Sequence, residues 1–316
     1  MTLELLDEIT RRLRAGEAVA LCVVTGVRGS TPQVVGAKML VLGNGRSIGT
    51  LGGGCVEAEV RKRALDRLIT VPLGNPSQLS EPMSFQLDND LGWDDGMICG
   101  GGLDVHVTVL RDALEAERFA GIAEAVRAGR PVEFTIPEIG YREQVAPPPA
   151  LILAGAGHVS QAVAALAASL DFRVTVIDDR AEFASEARFP TARHRVVGEI
   201  DLELARQTID PDTYIVIATR GHARDGAALA AVVNSPARYI GMVGSGKKVR
   251  TIFASLANGG VDPVRLARVR APIGLDLGAV TVQEIAVSIA AEMIAVRRGA
   301  SPPIPAMMLA ADPPGG

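Results

Sequence analysis

Ala150-Leu151-Ile152-Leu153-Ala154-Gly155-Ala156-Gly157-His158-Val159-Ser160 decides the fold of the second half of the chain. Its first five residues are apolar without alternation, as in a strand buried on both faces. Two glycines follow at Gly-x-Gly spacing, which suits a tight turn and close approach of a phosphate to the backbone. Gln161 to Leu170 then reads as a helix, and Arg173 to Ile177 as a second strand that ends in Asp178-Asp179-Arg180. Strand, glycine turn, helix, strand and an acid about 20 residues beyond the turn form the dinucleotide-type βαβ pattern. Ser160 stands where the third glycine of that fingerprint would be. The expectation is a Rossmann-like sheet whose pocket serves NAD(P), another phosphate-bearing ligand, or none.

Outward from this unit, Arg195 to Val197, Thr213 to Ala218 and Arg238 to Val243 are further strands separated by helical runs. Thr219-Arg220-Gly221-His222-Ala223-Arg224-Asp225 follows one strand, and Gly244-Ser245-Gly246-Lys247-Lys248 follows another. Both loops therefore sit at carboxyl ends of strands, where open α/β sheets bind ligands. His222 and Asp225 fall within one helical turn. They form either an acid–base pair or a ligand-contacting His beside an acid that charges the helix start. Ser245, Lys247 and Lys248 suit a phosphate, although surface lysines are common. Asp276 lies in another glycine-rich loop. Thr281 with Glu284 is a capping-box pattern that opens a last helix striped by Ile285, Ile289, Met293 and Val296.

The first half is organised around Ser47-Ile48-Gly49-Thr50-Leu51-Gly52-Gly53-Gly54-Cys55-Val56-Glu57. Three glycines lead into a cysteine and then a helix over Val56 to Ile69. A helix N-terminus offers unpaired N–H groups and partial positive charge. That makes an anion site and favours a thiolate. The other reading is a tight turn around a small buried Cys. Before it come a helix carrying Leu3, Leu6, Ile9 and Leu13, a strand over Ala18 to Val27 with Cys22 in the core, the turn Arg28-Gly29-Ser30-Thr31-Pro32, and a strand over Ala37 to Leu42 with a hairpin at Asn44-Gly45. After it come a loop over 71–81, a strand over Met83 to Leu87, and a second cluster, Asp94-Asp95-Gly96-Met97-Ile98-Cys99-Gly100-Gly101-Gly102. Neither cysteine has a second one at C-x₂-C spacing, as a closed zinc site would need. His106 alternates with apolar neighbours on a strand from Leu103 to Leu110, as a satisfied strand histidine would. Ala113 to Ala128 reads as helix and Pro131 to Ile139 as strand. Pro147-Pro148-Pro149 forms a stiff spacer.

The fold class is therefore α/β: an N-terminal mixed α+β domain over 1–144, a Pro-rich linker over 145–150, a Rossmann-like doubly wound parallel-sheet domain over 151–299, and a mobile tail over 300–316. At 316 residues, two domains are the default. A net charge of -4 argues against a nucleic-acid partner held by phosphate contacts. Three cysteines give no disulfide framework and suit a reducing, cytoplasmic setting. No signal peptide is visible at the N-terminus. The most apolar window, Leu151 to Leu170, is broken by Gly155, Gly157, His158 and Gln161, so no membrane span is expected.

Gly29-Ser30-Thr31-Pro32 with Gly36-Ala37-Lys38-Met39, then Gly49 to Glu57, then Met97-Ile98-Cys99-Gly100-Gly101, resemble the N-terminal XdhC/CoxI domain. Gly155-Ala156-Gly157-His158, Asp178-Asp179-Arg180, Gly221 to Asp225, Tyr239 to Ser245 and Ala271-Pro272-Ile273-Gly274-Leu275-Asp276 resemble its C-terminal Rossmann partner. The resemblance, to the xanthine dehydrogenase accessory factor type, implies a chaperone and not an enzyme. Such a protein binds the molybdenum cofactor (molybdopterin) and protects it while a cysteine desulfurase supplies the terminal sulfido ligand. It then delivers the cofactor to a molybdenum hydroxylase client of the xanthine dehydrogenase type. A homodimer is also implied. On this reading Gly52, Gly53, Gly54 and Cys55 touch the cofactor, with Cys55 on its metal or sulfur side, since soft metals take thiolate. Cys99 is the second sulfur candidate. Gly155, Gly157, His158, Asp178, His222 and Ser245 hold the pterin phosphate or a nucleotide extension. The rival reading is an NAD(P)-dependent oxidoreductase resting on the Rossmann half, with a persulfide carrier at Cys55 as a third.

Overall fold

The computed structural model describes residues 1–70, 80–86 and 101–300. The second cluster as far as Gly100, including Asp94, Asp95 and Cys99, lies outside these residues, as do most of the 71–81 loop and the tail beyond Ala300. The chain divides into two compact units, Met1–Pro147 and Pro148–Gly316.

The first unit has the elements α1 (Leu3–Arg14), β1 (Val19–Arg28), β2 (Lys38–Leu42), β3 (Ser47–Gly49), α2 (Gly54–Thr70), β4 (Ser80–Gln86), β5 (Gly102–Leu110), α3 (Ala113–Arg127), β6 (Val132–Ile136) and β7 (Tyr141–Val145). Five strands form one antiparallel sheet in the order β3-β2-β1-β5-β4. Helices cover both faces, so β1 reads as a continuous apolar run. Val19, Leu21 and Val23 pack with Leu6 and Ile9 of α1 and Phe119 and Ile122 of α3. The alternate residues Ala20, Cys22 and Val24 pack with Val56, Val60 and Ala64 of α2. Each large aliphatic side chain buried here contributes about 1.5–3 kcal/mol. Cys22 is a core residue, and burial pushes its thiol up to about 12. It stays protonated and takes no part in thiolate chemistry.

The structure corrects the expected strand over Pro131 to Ile139. The strand stops at Ile136, and Pro137–Ile139 is one 3-10 turn closed by Gly140 at φ 64°. The chain then returns as β7, paired Val132↔Val145 to Ile136↔Tyr141. Pro137 lacks the N–H needed to continue the ladder, and the return strand was hidden by its polar residues Arg142, Glu143 and Gln144. Ser80 and Glu81, expected in a loop, belong to β4 because they pair with Thr108 and Val107.

The second unit contains β8 (Ala150–Ala154), α4 (His158–Ser169), β9 (Arg173–Asp178), β10 (His194–Val197), α5 (Ile200–Ala205), β11 (Thr213–Ile217), α6 (His222–Val232), β12 (Tyr239–Met242), α7 (Gly246–Asn258), α8 (Pro263–Ala267) and α9 (Val282–Arg298). Its sheet is parallel with order β10-β9-β8-β11-β12. This is the doubly wound arrangement, with the order reversing between β8 and β11. One face packs against α4 and α9 through Val163, Ala167, Ile289 and Met293. The other packs against α5, α6 and α7 through Leu204, Leu229 and Ile252. The capping box of α9 is formed, with Thr281 and Glu284 bonded reciprocally. Helix α4 begins at His158, earlier than the composition predicts, because the extended residue Gly157 is its N-cap. Among the described residues, no helix is long and apolar enough to cross a membrane.

His106 carries a pH consequence. It is only 2 % exposed on β5, and its Nε2 shares a 2.5 Å hydrogen bond with Ser80 Oγ while Nδ1 has no partner. Burial holds its pKa below the usual value, against the opposing pull of Glu138. The folded state therefore prefers neutral His106. The unfolded chain takes up a proton as pH falls through about 6.5, and stability is lost in that direction. We expect the urea midpoint of wild type to fall as pH drops below about 6.5, and His106→Gln to flatten that slope. Equal slopes in the two proteins would contradict this account.

Candidate functional site

In the first unit, the hairpin β2–β3 delivers the glycine loop to the start of α2. Gly52 sits at φ 108°, and a Cβ there would lie 2.8 Å from Cγ of Pro32. A Cβ on Gly101 would collide with the Ser30 carbonyl oxygen. The Arg28–Gln33 segment thus packs against the first glycine cluster through Pro32, and against the end of the second through Ser30. The Pro32 ring on Gly52 and the Ser30 backbone on Gly101 bring these sequence-predicted segments together.

The loop ahead of this helix start, expected as an anion site, is partly served from within. Glu57, in the first turn of α2, turns its carboxylate back into the loop. Its Oε2 accepts hydrogen bonds from Thr50 Oγ1 at 2.7 Å, Leu51 N at 2.9 Å and Gly53 N at 3.1 Å. Burial pushes this carboxyl up, but those bonds outweigh it and hold it below the usual carboxylate range. The sequence reading assigns Glu57 no role. The available signal was an acid in the first turn of a helix behind a run of N–H groups. Cys55 is partly exposed on the same turn. On the neighbouring strand, Lys38 is buried and ion-paired with Glu143, and it also donates to the Gly36 carbonyl at 2.8 Å. It braces β2 against β7.

In the second unit, the carboxyl ends of β8, β9, β11 and β12 carry the predicted groups. Gly155 sits at φ 103°, where a Cβ would collide with the Ala218 carbonyl oxygen. The two loops that flank the switch point are therefore in backbone contact. Helices α4 and α6 begin there at Gly157 and Gly221, and neither start has a side-chain cap. Their first-turn N–H groups form an anion-binding arrangement, with His158 and His222 exposed as first residues of the two helices. Helix α7 differs: the Ser245 side chain caps it by accepting from Lys248 N at 3.4 Å.

Asp178 faces inward. It is 2 % exposed and accepts from Ala156 N at 2.7 Å and from Arg180 Nε at 2.8 Å. Burial pushes it up, yet Arg180 and these N–H groups hold it below the usual range. Its carboxylate fixes the glycine turn. Asp179, the next residue, is the acid that faces Arg224 at 2.7 Å and Arg220 at 3.6 Å. With Arg224, Glu199 and Asp201 it lines a pocket of about 570 Å³. His222 and Asp225 do not come together as an acid–base pair. Asp225 is fully buried, accepts from Thr219 Oγ1 at 2.6 Å and pairs with Lys248, while His222 is exposed. Lys248 is thereby committed to Asp225 in place of an incoming phosphate.

A two-unit α/β protein emerges, with a glycine–cysteine loop on one unit and a phosphate-suited crevice on the other. Profiles of two families match: the XdhC and CoxI family over residues 12–70 and the XdhC Rossmann domain over residues 151–293. The chain belongs to the XdhC/CoxI family. It is 31 % identical over 283 residues to the uncharacterized protein YqeB of Escherichia coli K12, covering 89 % of this chain but only 44 % of YqeB. It is 27 % identical over 324 residues to a Bacillus subtilis 168 protein named as a probable subunit of xanthine dehydrogenase, covering 89 % and 94 % of the two chains. The molybdenum cofactor insertion chaperone PaoD of E. coli K12 is 25 % identical over 312 residues, with 90 % and 85 % covered. A crystal structure titled as a xanthine dehydrogenase (BH1974) from Bacillus halodurans superposes with a TM-score of 0.80 over 94 % of this chain and 96 % of that one, at 23 % identity. That likeness shows the fold.

The Glu57 bonds make a direct prediction. Glu57→Ala removes an ionised acceptor from three donors and is expected to cost about 1–3 kcal/mol, read as a lowered urea midpoint. It also removes a negative charge near the first turn that carries Cys55. Iodoacetamide should then alkylate Cys55 faster at fixed pH, with Glu57→Gln giving an intermediate stability. An unchanged midpoint would show that the loop is held by other contacts.

Proposed function

We propose that this protein is an accessory chaperone that binds the molybdenum cofactor and delivers it to a molybdenum hydroxylase of the xanthine dehydrogenase type. Family membership and the names of the relatives support this class of role. The observation that carries the reading at the level of residues is the position of Cys55. It is a partly exposed sulfur beside a glycine loop in which the Leu51 and Gly53 N–H groups already serve Glu57. Such a loop offers a soft donor, which suits the metal or sulfur end of a molybdenum dithiolene. The phosphate end suits the crevice of the second unit, with the open starts of α4 and α6 and with His158 and His222. Gly155 and Asp178 act there by shaping the turn, and Gly157 leaves its N-cap backbone approachable. Each unit thus offers its own kind of contact, a sulfur at Cys55 in the first and an anion crevice in the second.

A cysteine desulfurase as sulfur donor, a homodimeric assembly and a cytoplasmic setting belong to the same proposal. Cys99 stays in it as a second sulfur contact. The oxidoreductase reading loses its acid–base pair, since Asp225 is buried against Lys248 while His222 is exposed.

The test is purification of the wild type and Cys55→Ser from cells that make the cofactor. Molybdenum would be measured by mass spectrometry and pterin by fluorescence after oxidation. We expect the variant to lose about tenfold or more of its bound molybdenum while its melting temperature stays near wild type. Equal molybdenum content in the two proteins would remove Cys55 from the site. Absence of both pterin and molybdenum from wild type, with tight NADH binding, would overturn the chaperone reading itself.

A further inference from the structure

A second polar pocket, about 480 Å³ in volume, opens at the other end of the parallel sheet, where β12 begins. Arg238, Arg268 and Arg270 line it together with Tyr239, Ala267 and Val296, and among the described residues no carboxylate lines it. Arg268 donates to the carbonyl oxygen of Ser235 at 3.3 Å and to that of Ala237. Those acceptors fix the guanidinium without neutralising it, and a guanidinium has donors to spare. Arg238 meets the exposed Asp212 at 2.6 Å and the Pro211 carbonyl at 3.1 Å. Nearby, Arg297 donates to the Leu170 carbonyl at 2.8 Å and lies over the Phe172 ring.

An independent observation concerns Tyr214. Its ring stacks on Tyr239 with centroids 5.8 Å apart, and its hydroxyl lies beside the Arg238 guanidinium. Burial raises its pKa, while the nearby Arg238 and Arg297 charges oppose the rise.

We propose that this pocket is a second anion site, separate from the crevice, that takes the phosphate group of a small organic phosphate. Guanidinium forks match phosphate oxygens in bidentate geometry. Three of them converge here from the start of β12 and from the segment after α8. The volume exceeds that of a lone phosphate and falls in the range of small-molecule pockets. Ala267, Val296 and the Tyr239 ring supply an apolar wall for the rest of the ligand. The site goes beyond the cofactor-delivery reading and does not depend on it.

Calorimetric titration of the full chain with inorganic phosphate and pyrophosphate, at constant ionic strength set by chloride, tests the proposal. Wild type should show a saturable site that weakens at least about tenfold in Arg238→Gln, the loss of one charge-assisted pair. Arg270→Gln provides an independent second variant. The crevice variant Arg224→Ala should keep this site. Matching melting temperatures establish that each variant is folded. No saturable binding by wild type, or binding lost in Arg224→Ala but retained in Arg238→Gln and Arg270→Gln, would overturn the proposal.

Discussion

One oxygen atom, Oε2 of Glu57, sets the character of the first unit. Three donors from the glycine loop end on it. A loop so rich in glycine would otherwise sample many conformations at a large entropic cost to any ligand that needed a single one. An internal carboxylate removes that cost in advance. It also decides which part of a ligand the loop can take. Donors that already end on a carboxylate are less available to a second anion.

The second unit reaches the opposite arrangement with similar parts. Its two glycine-capped helix starts lack a side-chain acceptor, and its inward-facing acid, Asp178, is spent on the turn beneath them. At the crevice the open helix starts, Arg220 and Arg224 stand beside the carboxylates of Asp179, Glu199 and Asp201. The two units therefore differ in whether a side chain serves the glycine turn from the helix, although both are glycine loops running into helices. That difference comes from where a single carboxylate points in each.

Much of the fold was legible because the sheets are buried on both faces. Val19 to Val24 and Leu151 to Ala154 are runs that suit such strands, and Gly155 ends the second. What escaped the sequence was β7, whose central residues are polar because only Tyr141 and Val145 are buried. In the site, the positions of glycines and cysteines were legible, since their spacing is local. The pairings were not. Asp225 could face His222 or Lys248, and only the packing of α6 beside α7 selects Lys248. Asp178 and Asp179 are adjacent, and strand alternation sends one inward to Arg180 and the other towards Arg224. Glu57 was visible as a letter of the motif, but its direction depends on the backward tilt of side chains at a helix start.

The contacts of Gly52 with Pro32 and of Gly101 with Ser30 also constrain how this domain can vary. Each is made by backbone or by a ring edge pressed onto a residue with no side chain, so neither can be relaxed by rotating a rotamer. The Arg28–Gln33 segment, the 49–57 loop and the start of β5 consequently form an indivisible module. Exchange of any one of them between relatives would bring a mismatched backbone path to the other two. Recombination within the family should respect those three segments as a single block, with crossover points falling in the helices outside it.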